Sequence, residues 1–138
     1  MYEELLQNAA EVRRNACCLY SHFAVGAALL CNDGTVYTGC NVENAAYPLC
    51  LCAERNAFGS AVADGKKKGD FKAIAIVGGN ENETAASPCF PCGACRQVMA
   101  QFCGDDFTIV LNGGVYTLGS LLPYAFRLEE KQITANER

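Results

Sequence analysis

A chain of 138 residues, half apolar and a fifth charged, suits a single globular domain over residues 1–138 that buries roughly two-thirds of its unfolded surface. Its net charge of −4, with no basic cluster beyond Lys66-Lys67-Lys68, argues against a nucleic acid polymer as partner, because such proteins grip phosphates with clustered lysine and arginine. The longest apolar run, Phe23 to Cys31, is too short to cross a bilayer, and Met1 to Cys18 lacks a signal-peptide core, so no membrane association is expected.

Ten cysteines in such a chain read as reduced cytoplasmic thiols, either small core residues or metal ligands, rather than as disulfides. Residues 3 to 19 carry Leu5, Leu6, Ala9, Ala10, Val12, Ala16, Cys17 and Leu19 at near-helical spacing, which predicts one amphipathic helix. Two β-rich runs, 23 to 31 and 35 to 40, flank Asn32-Asp33-Gly34, and Asp-Gly there predicts an antiparallel hairpin. Residues 41 to 51 are irregular, and Pro48 excludes a central strand.

From Cys52 the pattern is helical through Ala53, Ala57, Phe58, Ala61 and Val62 and stops at Asp64-Gly65. A strand over 71 to 77 is ended by Gly78-Gly79. A helix follows from about 92 to 102 with Val98, Met99 and Phe102 on its apolar face. Strands over 107 to 111 and 115 to 118 flank Asn112-Gly113-Gly114. Leu121-Leu122-Pro123 opens a last helical turn, and residues 129–138 form a polar tail. Helices alternating with strands after a hairpin give the α/β class, a three-layer α/β/α arrangement.

Chemistry concentrates in two stretches. Pro91-Cys92-Gly93-Ala94-Cys95 holds a C-x-x-C pair, the spacing that lets two sulfurs reach one Zn²⁺ at ~2.3 Å. Cys52-Ala53-Glu54-Arg55 adds a third thiol and a carboxylate. Three thiolates leave one tetrahedral position open for water, the pattern of a catalytic site, and Glu54 is placed to move that water's protons. Cys52 and Cys92 both start predicted helices that follow strands, so both fall at one sheet edge, where helix N-termini favour thiolates. Pro91 suits the first helical position.

Three thiolates and one Zn²⁺ carry a surplus negative charge, which Arg55 could offset by hydrogen-bonding the sulfurs. Spacing alone leaves other readings open. Cys89 also forms a C-x-x-C with Cys92, so Cys89 or Cys50 could complete a structural, non-catalytic zinc site, and Cys92/Cys95 alone could be a redox pair. His22, the only histidine, lies in neither motif and reads as an ordinary surface or half-buried residue.

Together these stretches resemble the cytidine deaminase family in its small, homotetrameric, three-cysteine form; zinc deaminases pair a carboxylate with a P-C-x-x-C signature. The resemblance extends to Phe23-Ala24-Val25-Gly26-Ala27-Ala28, to Gly39-Cys40-Asn41-Val42-Glu43-Asn44-Ala45 and to Leu121-Leu122-Pro123-Tyr124-Ala125-Phe126. After Phe126, Arg127-Leu128 stands where the family often has Gly-Pro, which bears on how the last turn packs.

The resemblance implies a five-stranded mixed sheet and one zinc per chain on Cys52, Cys92 and Cys95. It implies hydrolysis of cytidine and 2′-deoxycytidine to uridine and 2′-deoxyuridine in pyrimidine salvage, with hydroxide at the zinc attacking C4 and Glu54 passing protons to N3 and to the departing amine. Ala53 would hold the pyrimidine edge through its backbone. Asn41 and Glu43 would bond the ribose 3′-hydroxyl, and Phe23 would pack on the base. Phe126 and Tyr47 would enter a neighbouring subunit's site. The alternatives are deamination of another aminopyrimidine nucleoside, such as an antibiotic, or of a polynucleotide.

Overall fold

The computed structural model describes residues 2–128; the predicted polar tail lies outside them. Three layers are present. The central sheet comprises β1 (Phe23–Cys31), β2 (Val36–Cys40), β3 (Phe71–Asn80), β4 (Thr108–Leu111) and β5 (Gly114–Thr117), in the order β2-β1-β3-β4-β5. Only β3 and β4 pair in parallel, so the sheet is mixed. The predicted hairpin is present. Gly34 closes it at φ 90°, and Asp33 accepts from the Thr35 amide at 3.0 Å.

Helix α1 (Glu3–Val12) covers one face of the sheet through Leu5 and Ala9, against Ala28, Ala73, Ala75, Val77 and Val110. The small strand residues admit the helix closely: a Cβ on Gly26 would fall 1.9 Å from the Ala9 carbonyl oxygen. Helices α2 (Ala53–Ala63), α3 (Gly93–Phe102) and the short α4 (Leu118–Leu121) cover the other face. There Phe58, Met99, Ile74, Ile76, Ile109 and Leu118 are buried together, and Phe58 stacks on Phe102 at 5.6 Å. Alternation along β1 and β3 sends successive residues to the two cores.

The first helix is shorter than its apolar pattern suggests. It ends at Val12, a 3-10 turn follows (Arg13–Asn15), and Leu19 is exposed rather than on a buried face. Backbone pairing elsewhere is the competitor: Cys17 donates to the Asn41 carbonyl at 2.9 Å and accepts from the Glu43 amide at 2.8 Å, which a continued helix would forfeit. The Arg13 guanidinium also donates to the carbonyls of Ala24, Asn80 and Glu83, turning the chain into β1.

Three other boundaries shift. β3 runs through Gly78-Gly79 because these residues pair with Val25 and Ala24. The last helical turn begins at Leu118, before Leu121. Pro91 precedes the Cys92 N-cap instead of opening α3. Val62, assigned to the apolar face of its helix, is also largely exposed.

This topology builds one reactive edge. β2 and β3 both run antiparallel to β1, so their C-terminal ends lie at the same edge, and α2 and α3 start there. Gly39 lets α2 sit directly on β2: a Cβ there would be 2.5 Å from the Ala53 carbonyl oxygen and 2.6 Å from the Ala57 nitrogen. Asn56 pins the same contact by donating to the Cys40 carbonyl at 2.8 Å.

Candidate active site

Cys52 is the N-cap of α2 and Cys92 the N-cap of α3, while Cys95 is buried in the first turn of α3. Their carbonyls start the helices, accepting from Asn56 and Arg96, but neither sulfur caps its own helix. All three sulfurs lie within 4.8 Å of one another. The Cys52–Cys92 and Cys92–Cys95 separations are 3.8 and 3.5 Å. A tetrahedral Zn²⁺ with ~2.3 Å bonds spaces its sulfurs by about 3.8 Å, so the cluster fits one zinc ion per chain.

Its electrostatics agree. The Cys52 thiol is held below its ordinary range, chiefly because the Cys95 thiol donates to it and also because Arg55 lies beside it. Cys95 is pushed up correspondingly. The Arg55 guanidinium stands 3.6 Å from the Cys52 sulfur and donates to the Cys50 carbonyl at 3.3 Å. Its Nε is buried with no hydrogen-bond partner among the described residues, a donor left over beside the sulfur cluster.

The cluster opens into a cavity of about 220 Å³. Ala53 and Glu54 line it from α2, Asn41 and Glu43 from the loop after β2, and Val25 from β1. Glu54 is only 5% exposed, and burial pushes its carboxyl above the usual carboxylate range. A carboxyl so placed, on the wall of the cavity, is suited to proton transfer.

Asn41 is anchored at both ends of its amide, accepting from the Val25 nitrogen at 2.8 Å and donating to the Phe23 carbonyl at 2.8 Å. One N–H and one lone pair remain for a ligand. Glu43 accepts from the amides of Tyr20 and Ser21 at 3.0 and 3.1 Å and from the Ser21 hydroxyl. The Ser21 hydroxyl and these amides hold its carboxyl below the ordinary range.

Not every expected residue meets the cavity of its own chain. Phe23 stands at the start of β1, partly exposed and outside the lining; Tyr47 and Phe126 are well exposed and also outside it. Tyr47 instead meets Tyr20 edge-on at 6.0 Å, and the Phe126 carbonyl accepts from Gln97 at 2.9 Å. Cys89 and Cys50 line the cavity but do not join the sulfur cluster. Burial pushes the Cys89 thiol up to about 11. The Cys50 sulfur bonds the Asn44 backbone.

Several residues of the site carry no sequence signal of their own. Phe90 and Leu51 form part of the cavity wall, Phe90 held edge-on against Tyr116 at 5.1 Å. Arg96 fixes the segment before Cys92, donating to the carbonyls of Pro91 and Leu121, both at 2.7 Å. It lies inside the zinc motif, which is the one clue the sequence offers.

A family model for the cytidine and deoxycytidylate deaminase zinc-binding region matches residues 1–111. The chain belongs to this family. It is 44% identical over 140 residues to a cytidine deaminase of Sporosarcina psychrophila, covering 98% of both chains. The crystal structure of cytidine deaminase from Burkholderia pseudomallei superposes with a TM-score of 0.84 at 47% identity, covering 91% of this chain and 99% of that one. A blasticidin-S deaminase of Bacillus cereus is 31% identical over 108 residues, covering 74% of this chain and 76% of the relative. In this family setting, the three-cysteine cluster is the zinc-binding group and the mixed five-stranded sheet is the α/β fold.

Proposed function

We propose that this chain is a zinc-dependent cytidine deaminase, hydrolysing cytidine and 2′-deoxycytidine to the corresponding uridines and ammonia. The observation that carries the reading is a buried Glu54 beside three thiols, in a cavity that also holds Asn41 and Glu43. Zinc held by Cys52, Cys92 and Cys95 supplies Lewis-acid activation of the attacking water. Glu54 takes a proton from that water as its oxygen adds to C4 and delivers it to N3 of the pyrimidine. It then takes the remaining proton from the C4 hydroxyl and gives it to the amine as the C4–N4 bond breaks and the C4 carbonyl forms, so cytidine and water balance uridine and ammonia.

Arg55 offsets the surplus charge of three thiolates and so preserves that activation. The Ala53 backbone holds the pyrimidine edge. Asn41 and Glu43 bind the ribose 3′-hydroxyl with the acceptor and donor positions their own contacts leave unfilled. Phe23 packs on the base. Tyr47 and Phe126, exposed and outside the lining of their own cavity, complete the sites of neighbouring chains in a homotetramer.

The chain acts as a single domain, in the cytoplasm, on free nucleosides in pyrimidine salvage. Among the described residues no helix is long and apolar enough to cross a membrane. A second reading, deamination of an antibiotic aminopyrimidine nucleoside, is favoured by the blasticidin-S deaminase relative. The Asn41–Glu43 pair, suited to an unmodified ribose, speaks for the first.

Zinc content per chain and the fall in ultraviolet absorbance on adding cytidine or blasticidin S test both. One zinc with rapid loss of cytidine supports the first reading. One zinc with loss of blasticidin S alone would establish the second. A folded, reduced sample that binds no zinc would refute both.

A further inference from the structure

Three donors converge on Glu43. Two are backbone amides, Tyr20 and Ser21, and both reach Oε1 at 3.0 and 3.1 Å. The third is the Ser21 hydroxyl, which alone reaches Oε2. A carboxylate offers about four acceptor positions, so one remains, and it lies on the oxygen that Ser21 occupies. The serine therefore decides which side of Oε2 is left for a ligand hydroxyl.

The serine has little freedom to do otherwise. Its oxygen accepts from the Phe23 amide at 3.0 Å, which directs its single proton away from that side. The competing acceptor, the Phe23 carbonyl, is at 3.5 Å, longer than an ordinary hydroxyl bond. The backbone around it is also fixed. His22 donates its amide to the Cys18 carbonyl at 2.9 Å and takes a left-handed φ of 56°, costly for a non-glycine residue. Glu81 offsets that cost by bonding the His22 ring at 2.6 Å and the Cys18 thiol at 3.1 Å.

The Ser21 hydroxyl thus joins Glu43 to Phe23, and Phe23 in turn bonds Asn41 through its carbonyl. We propose that Ser21 is a positioning residue for nucleoside recognition: its hydroxyl orients the Glu43 carboxylate toward the ribose 3′-hydroxyl. The proposal rests on the reading that Glu43 meets the ribose. Ser21 itself takes no part in the chemistry at C4. Its loss removes one of the three bonds to a charged acceptor, while the two amides keep the carboxylate ionised and near its place. The cost falls on substrate binding and not on proton transfer.

The test compares cytidine with 3′-deoxycytidine on the zinc-loaded enzyme. Ser21→Ala should raise KM for cytidine about tenfold and leave kcat within about threefold. KM for 3′-deoxycytidine should barely move, so discrimination between the two shrinks. Ser21→Thr, which keeps the hydroxyl, should restore most of it. In a Glu43→Gln background, Ser21→Ala should have little further effect.

Equal losses on both nucleosides, or a fall in kcat and thermal stability with KM unchanged, would mean that Ser21 is merely structural and overturn the proposal. If Ser21→Ala does not fold, Ser21→Cys, with a similar volume and a weaker donor, carries the same comparison. A Glu43→Gln enzyme with unchanged discrimination would show that Glu43 does not meet the 3′-hydroxyl. That result removes the ribose reading, and the proposal with it, by a measurement separate from the serine variants.

Discussion

Gly39→Ala should disable the enzyme from a position that bears no reactive group. The added Cβ would lie 2.5 Å from the Ala53 carbonyl oxygen and 2.6 Å from the Ala57 nitrogen, both backbone atoms of α2. Ordinary contact begins near 3.4 Å, so the helix must retreat by about 0.9 Å or β2 must yield by as much. Overpacking of this kind costs about 1–3 kcal/mol. For a chain of this size that lowers Tm by roughly 3–15 °C.

The catalytic cost should be larger. The start of α2 carries Cys52 and Glu54, and a misplacement near 1 Å costs about a hundredfold in rate. Gly59→Ala is the control in the same helix, because nothing lies within 4 Å of a Cβ there. It should gain about 0.5–1 kcal/mol from reduced backbone entropy and keep full activity. Thermal melts, zinc content and the steady-state rate on cytidine would be measured for both variants. Wild-type activity in Gly39→Ala, or an equal loss in Gly59→Ala, would refute the claim that this contact aims the metal ligand and the acid.

Glu54→Gln should retain zinc and fold while losing about 10²–10⁴ in kcat, the range for a lost general acid–base; a loss under tenfold would remove Glu54 from the proton path. Cys89→Ser should still bind one zinc per chain, because its sulfur lies outside the cluster; loss of the metal would show that the ligand set is misassigned. Burial pushes the Cys103 thiol up to about 12 from an ordinary 9.0. Its neutral form therefore favours the fold below pH 9, and that contribution, of order 4 kcal/mol, is lost as pH rises toward 12. Cys103→Ala should flatten the decline of urea midpoints between pH 8 and 11, and an unchanged slope would refute the assignment. Phe126→Ala should raise KM for cytidine with zinc retained, and unchanged kinetics would remove the residue from any site.

Much of the site was legible because its chemistry is carried by residue type and local spacing. C-x-x-C, a third cysteine followed by a carboxylate two residues on, and Arg55 needed only their helix starts to be recognised. The hairpin was equally local, since Asp33-Gly34 imposes its turn whatever the surroundings. The first helix was not, because Ala16 to Leu19 fits a helix as well as an extended segment. The pairing of Cys17 with Asn41 and Glu43, more than twenty residues away, decides between them.

The sequence by itself determined the candidate thiols, the carboxylate beside them and the layered α/β class, because metal ligation, proton transfer and apolar periodicity depend on which side chains occur and how far apart they lie along the chain. Only the tertiary structure decided the rest. It excluded Cys89 and Cys50 from the sulfur cluster, although Cys89 has the same spacing to Cys92 as Cys95 has. It turned Ser21 onto Glu43 and left Phe126 away from its own cavity. These are questions of direction, and a side chain's direction is set by the strand pairings and helix contacts that surround it.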